Sequence, residues 1–201
     1  MNPKGILPYS FYDRPVVQVA RELLGKRLVR CWDDRRVSGI IIETEAYDGM
    51  QDLACHARVG KTKRNQVMFG KAGHAYVYFT YGMHWCLNVV TGEIGYPAAV
   101  LIRALTPIEG LEIIAQNRGK VERKNWTNGP AKLTQAFQIN RQQNGIDLTG
   151  QKDHLWVEDG EEIADQFVQV GPRVGIDSTP EPWRSMPWRF QISDAQIGLE
   201  E

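Results

Sequence analysis

A strongly apolar run, Ile40-Ile41-Ile42, gives way to Glu43-Thr44-Glu45-Ala46-Tyr47. In an extended strand successive side chains alternate, so Glu43, Glu45 and Tyr47 share one face. Two carboxylates closing such a strand are costly unless they are paired, solvated or used. A solvated edge strand accounts for Glu43. For Glu45, beside an aromatic ring, the same solvated face competes with burial that would raise the carboxyl pKa and suit a general base. Arg103 closes a second apolar run, Ala98 to Ile102, and needs a counter-charge or a polar cavity; Glu45 is a candidate partner. His56, within Cys55-His56-Ala57-Arg58, can donate to a ligand. His56, His74 and His84 have neither the spacing nor the accompanying carboxylates of a metal site, so none is expected. No G-x-S-x-G, P-loop or G-x-G-x-x-G occurs, which leaves acyl-hydrolase and dinucleotide chemistry unsupported.

The second chemical signal is the stretch Tyr76 to Asn88, where aromatic and β-branched residues flank Gly82 and predict a β-hairpin. Tyr76, Tyr78 and Thr80 fall on one face, and Tyr81 falls at the tip. From Leu53 to Gly92 there is no Asp or Glu, while Arg58, Lys61, Lys63, Arg64 and Lys71 all lie there. A ring projecting from an acid-free, basic stretch suits a wedge offered to nucleic acid. The alternative is a hairpin whose tyrosines pack on a core.

The elements that must position these groups follow in order. Asp13-Arg14-Pro15 can cap a first helix with Val16, Val17, Ala20, Leu23 and Leu24 buried and Gly25 as its stop. Lys26–Trp32 and Val37–Tyr47 predict antiparallel strands about an Asp33-Asp34 turn. A loop spans 48–73, and Ala98–Ile102 predicts a buried strand. Thr106-Pro107-Ile108-Glu109 has the form of a capping box opening a helix to Gly119. A further helix over Ala131–Ile139 and short strands near 155–157, 167–170 and 188–192 complete the pattern. Strands and helices do not alternate as βαβ units. The fold class expected is therefore α+β: a single domain, residues 1–201, with a mainly antiparallel, open barrel-like core, flanking helices and a protruding hairpin.

Twenty-four basic and 24 acidic residues cancel. The acidic run Glu158 to Asp165 implies a negative face opposite a positive one. Cys31, Cys55 and Cys86 are an odd, scattered set, and no apolar leader or membrane-length run is present. A soluble protein in a reducing compartment is expected, the bacterial cytoplasm with its nucleoid or else a nucleus.

Taken together, E-T-E-A-Y-D-G, H-A-R, K-R-N-Q-V-M-F-G-K-A-G-H-A-Y-V-Y-F-T-Y-G-M-H-W-C-L-N-V, L-I-R-A-L-T-P-I-E-G-L and N-G-P-A-K-L resemble the alkyladenine (3-methyladenine) DNA glycosylase family. The resemblance runs from about residue 10 to 192, with one extra residue between Gly92 and Ala98 and a different tail after Gly175. It implies hydrolysis of the N-glycosidic bond of alkylated or deaminated purines in double-stranded DNA, by a monomer with no cofactor. It further implies Glu45 as the base that activates water, with Arg103 and a backbone carbonyl of the Arg173-Val174-Gly175 region, at Val174, helping to hold that water. Tyr47 and Tyr78 would sandwich the flipped base beside His56, Ala54 and Leu101, and Asn88 would crowd out the amine of guanine. Tyr81 would intercalate next to Met83, with Arg58, Lys63, Arg64 and Lys71 on the DNA. The residues by themselves also fit a non-catalytic nucleic-acid module that stacks bases on Tyr47, Tyr78 and Tyr81. A hydrolase of free nucleosides is a third fit, one needing neither wedge nor basic loop.

Overall fold

A computed structural model describes residues 5–193. Its frame is an antiparallel sheet of eight strands: β1 (Arg27–Trp32), β2 (Arg35–Asp48), β3 (Ala75–Thr80), β4 (His84–Thr91), β5 (Ala98–Glu109), β6 (Leu155–Glu158), β7 (Val168–Gly171) and β8 (Arg189–Ile192). The main path runs β3-β4-β5-β2-β1-β6, with β8 pairing both β2 and β7. The sheet does not close, in keeping with the α+β class. Asp33 and Asp34 make the β1–β2 turn with φ of 45° and 62°, the left-handed pair that two-residue hairpins require.

Four helices accompany the sheet: α1 (Tyr9–Tyr12), α2 (Val16–Glu22), α3 (Leu111–Arg118) and α4 (Pro130–Ala136). Pro15, with no side-chain cap, precedes α2, so Asp13 does not cap it as expected. Val16, Val19 and Ala20 of α2 are buried, and the Thr44 hydroxyl donates to the Ala20 carbonyl at 2.7 Å, fixing α2 on β2.

Period-2 alternation divides the sheet into two faces. Ala46 of β2, Val77 of β3, Leu87 and Val89 of β4, and Val100 and Ile102 of β5 join the large core beneath the helices. The intervening residues point the other way. There Tyr76, Val90 and Ala99 form a smaller cluster with Cys55, Ala57 and Met68 from the 48–73 loop, and Tyr47 and Tyr78 pack on it. That loop is partly ordered into two 3-10 helices, His56–Val59 and Gln66–Phe69. The alternative, hairpin tyrosines packed on a core, is thus true of Tyr76 and Tyr78, while Tyr81 stands 81% exposed.

Two further expectations are corrected. Thr106 to Glu109 does not cap a helix; β5 continues through it, pairing Thr106 with Ile40, Pro107 with Gly39 and Glu109 with Ser38. β4 pairs β5 only as far as Leu101, so Pro107 lies where β5 has a single strand neighbour and its missing N–H is tolerated. The Glu109 carboxylate meets Arg27 at 2.7 Å and Arg36 at 3.0 Å, and Gly110, with φ 72°, precedes α3. Arg103 consequently lies in mid-strand. Second, β2 is central rather than an edge, flanked by β1, β5 and β8, so the Glu43 side chain is only 12% exposed. The solvated face that explained Glu43 does not exist.

Candidate active site

Strand register brings the site together. Glu45 lies opposite Leu101 of β5, Leu101 opposite Asn88 of β4, and Asn88 opposite Tyr76 of β3. Directly opposed residues in antiparallel strands share a face, so this row of four runs across the side away from the helices. Tyr47, Ala99 and Tyr78 add neighbouring positions. Leu53 to Asn65 folds over the row: the Asn65 side chain donates to the carbonyls of His56 and Gly60, both at 2.9 Å, and holds His56 in place. The result is a cavity of about 370 Å³ whose walls include Tyr47, Ala54, His56, Tyr78, Asn88, Leu101, Arg103 and Val174.

Rings dominate the walls. His56 meets Tyr78 edge-on at 4.4 Å and shares a 3.0 Å hydrogen bond between its Nδ1 and the Tyr76 hydroxyl. Burial, with Arg64 and Arg58 nearby, pushes the His56 pKa down to about 4, so the ring is neutral at physiological pH. Asn88 is buried and donates to the Tyr76 carbonyl at 2.9 Å.

Glu45 sits behind the lining with no exposed surface. Its Oε1 accepts the Val174 N–H at 2.7 Å and lies 3.2 Å from Arg103 Nη1. Its Oε2 accepts the Tyr47 hydroxyl at 2.8 Å. Burial raises the Glu45 pKa, and Arg103, the Val174 N–H and Tyr47 offset part of that rise. Burial next to the Glu45 charge drives the Tyr47 phenol well above its ordinary value, so it remains a hydrogen-bond donor. A carboxylate, an arginine and a backbone amide meeting at an aromatic cavity form a set able to hold and deprotonate a small nucleophile.

Outside the cavity, Tyr81 and Gly82 have φ of 50° and 68°, a left-handed pair closed by the Met83 N–H on the Thr80 carbonyl at 3.2 Å. The turn thrusts Tyr81 outward, with Met83 66% exposed beside it. Arg58, Lys63, Arg64 and Lys71 are all exposed, and Arg64 lies over the Tyr78 ring at 5.4 Å while donating to the Phe79 carbonyl. Among the described residues, no group of three His, Cys, Asp or Glu could hold a metal ion, and no helix is long and apolar enough to cross a membrane.

The family model described as methylpurine-DNA glycosylase (MPG) matches residues 10–196. The chain belongs to the methylpurine-DNA glycosylase family. Relatives named "Putative 3-methyladenine DNA glycosylase" include one from Carboxydothermus hydrogenoformans, 50% identical over 189 residues that cover 94% of this chain and 96% of that one. Another, from Methanocella arvoryzae, is 51% identical over 186 residues, 92% and 91% of the two chains. A third, from Clostridium acetobutylicum, is 46% identical over 192 residues, 91% and 92% of the two. The protein is thus a DNA glycosylase, a hydrolase of DNA repair, and its class acts by base flipping.

The candidate site also contains groups that the sequence did not reveal. Arg173, next to Val174, is fully buried with Asp52 at 2.5 Å, donates to the Ala46 carbonyl at 2.9 Å and stacks on Tyr47 at 4.7 Å. This pair ties the loop before His56 to the segment carrying Val174. Cys86 lines the cavity, its thiol raised by burial, and Pro130 and Ala131 at the start of α4 complete the rim. Residues 121 positions apart leave no local pattern from which the Asp52–Arg173 pair could be read.

Proposed function

We propose that this glycosylase removes alkylated or deaminated purines from duplex DNA by flipping the nucleotide into the cavity and hydrolysing its N-glycosidic bond with a water activated by Glu45. The observation that carries the reading is the buried Glu45 carboxylate, held by Arg103 and the Val174 N–H behind a cavity walled by Tyr47, Tyr78 and His56. Flipping costs a few kcal/mol in unstacking. Tyr81, projecting from the hairpin tip, fills the gap left in the duplex, and stacking on an aromatic ring returns roughly 1–3 kcal/mol per base.

Inside the cavity the purine lies between Tyr47 on one side and Tyr78 with His56 on the other. Purines methylated at N3 or N7 carry positive charge, which attracts them to ring faces and makes them good leaving groups. A neutral His56 adds no charge to oppose them. Asn88, anchored to Tyr76, narrows the cavity against an additional exocyclic amine. The Tyr47 hydroxyl occupies Glu45 Oε2 in the structure, so the water takes that oxygen in its place, with Arg103 and the Val174 backbone steadying it. The sugar passes through an oxocarbenium-like state, and one carboxylate both takes the water proton and balances the sugar's charge, as in glycoside hydrolysis generally.

The chemistry needs no lysine nucleophile, so the enzyme is monofunctional. The test is incubation with duplexes containing 3-methyladenine, 7-methylguanine, hypoxanthine or ethenoadenine, followed by alkaline cleavage at abasic sites. The expected result is base release without strand scission before alkali and without a borohydride-trapped adduct. Salt-sensitive binding with no base release would favour a stacking module, and trapping of an adduct would overturn the water mechanism.

A further inference from the structure

Arg103 faces two carboxylates. Its Nη1 lies 3.2 Å from Glu45, while its Nε donates to Glu43 Oε1 at 3.0 Å. The same Glu43 oxygen accepts Arg189 Nη1 at 3.2 Å, and Arg189 Nε donates to the Pro172 carbonyl at 3.0 Å. Two residues beyond Pro172, the Val174 N–H reaches Glu45 at 2.7 Å. The contacts form a closed circuit that leaves Glu45 through Arg103, passes Glu43, Arg189 and Pro172, and returns to Glu45. The sheet frames it: on β8, Glu43 lies opposite Gln191 and Glu45 opposite Arg189, while the β2–β5 register shifts on either side of Glu43, leaving Ile42 on β2 and Arg103 on β5 without directly opposed partners.

We propose that Glu43 is a positioning residue that holds Arg103 and, through Arg189, the Pro172–Val174 segment in register with Glu45. This inference rests on the reading of Glu45 as the base. A residue needed only to fill space would not have to be charged, and Glu43 is paired at both ends of the circuit by arginines. Its charge also acts on Glu45 directly. Glu45 is faced by Glu43 and Tyr47 from its own strand, by Arg103 from β5 and by the Val174 N–H. Tyr78 and Cys86 lie across the cavity, and the Glu43 charge opposes ionisation of Glu45 where Arg103 favours it.

The consequence has a sign. In E43Q the amide oxygen still accepts Arg103 Nε, while the repelling charge is gone. The acid limb of the pH–rate profile, where Glu45 takes up its proton, then moves to lower pH. In R189M the Glu43 charge loses a neutralising partner, and the limb moves to higher pH.

The experiment is single-turnover excision of hypoxanthine from duplex DNA between pH 5 and 9 by the wild type, E43Q, R189M and E45Q. The limb is expected to shift down by about half a pH unit in E43Q and up by a similar amount in R189M. The maximal rate of E43Q should stay within about fivefold of wild type, because the hydrogen bond survives. Rate losses with unmoved limbs, or limbs moving in the same direction, would overturn the role of Glu43. If E43Q does not fold, the direction of the R189M limb decides. E45Q separates the two readings: full excision by E45Q removes Glu45 as the base, whereas a dead E45Q with unmoved limbs in the other two refutes the Glu43 inference alone.

Discussion

Each oxygen of the Glu45 carboxylate is bonded inside the protein, and each bond comes from a different part of the chain. Burial raises the Glu45 pKa, and Arg103, the Val174 N–H and the Tyr47 hydroxyl oppose that rise. His56 shows the opposite consequence of burial. Its pKa is lowered to about 4, so the unfolded chain binds a proton that the folded chain refuses. Stability from this residue is complete above about pH 6.5 and is lost as the pH falls toward 4, amounting to on the order of 3 kcal/mol. Denaturant melts across that range should therefore show a shallower acid decline for His56→Gln than for the wild type; an identical decline would show that His56 protonates freely in the folded state. Strand alternation puts Glu45 and Tyr47 on one face, but it left a solvated face and a general base equally open for Glu45, whose role came from the family resemblance. Glu43 was misread as solvated because an isolated sequence does not show that β2 has neighbours on both sides.

At the level of elements, β2 and the hairpin do most to shape the site. The register Glu45–Leu101–Asn88–Tyr76 crosses four strands, and slipping any one by a residue would turn its contribution toward the helices. The hairpin was readable from its aromatic, β-branched and glycine pattern. The start of α3 was not: Thr106-Pro107-Ile108-Glu109 satisfies the local rule for a cap, yet pairing with β2 outweighs it and transfers the helix start to Gly110. The hairpin tip also separates function from folding. Tyr81 is 81% exposed, so Tyr81→Ser should change stability by no more than about 0.5 kcal/mol. The same change should weaken lesion binding and the fluorescence rise of a base analogue flipped at the lesion, with less effect on the chemical step. A marked fall in melting temperature, or unaltered fluorescence, would contradict the role assigned to the ring.

Across the molecule, zero formal charge conceals a division. Arg58, Lys63, Arg64 and Lys71 are exposed on the 48–73 loop, while Glu161, Glu162 and Asp165 are exposed elsewhere, Asp165 paired with Arg21. Affinity for duplex should then depend on a few phosphate contacts rather than on net charge. Lys63→Gln should lower the slope of log affinity against log salt by about 0.9, the value for one phosphate contact, and an unchanged slope would remove Lys63 from the interface. Composition could suggest such a stretch, but only the fold shows that the basic loop lies against the aromatic cavity. The central claim concerns a single carboxylate, and the most direct measurement is single-turnover base release by Glu45→Gln beside its binding to the same lesion duplex. Binding within a fewfold of wild type with excision reduced by about 10²–10⁴-fold is the predicted result. Excision at the wild-type rate would contradict it.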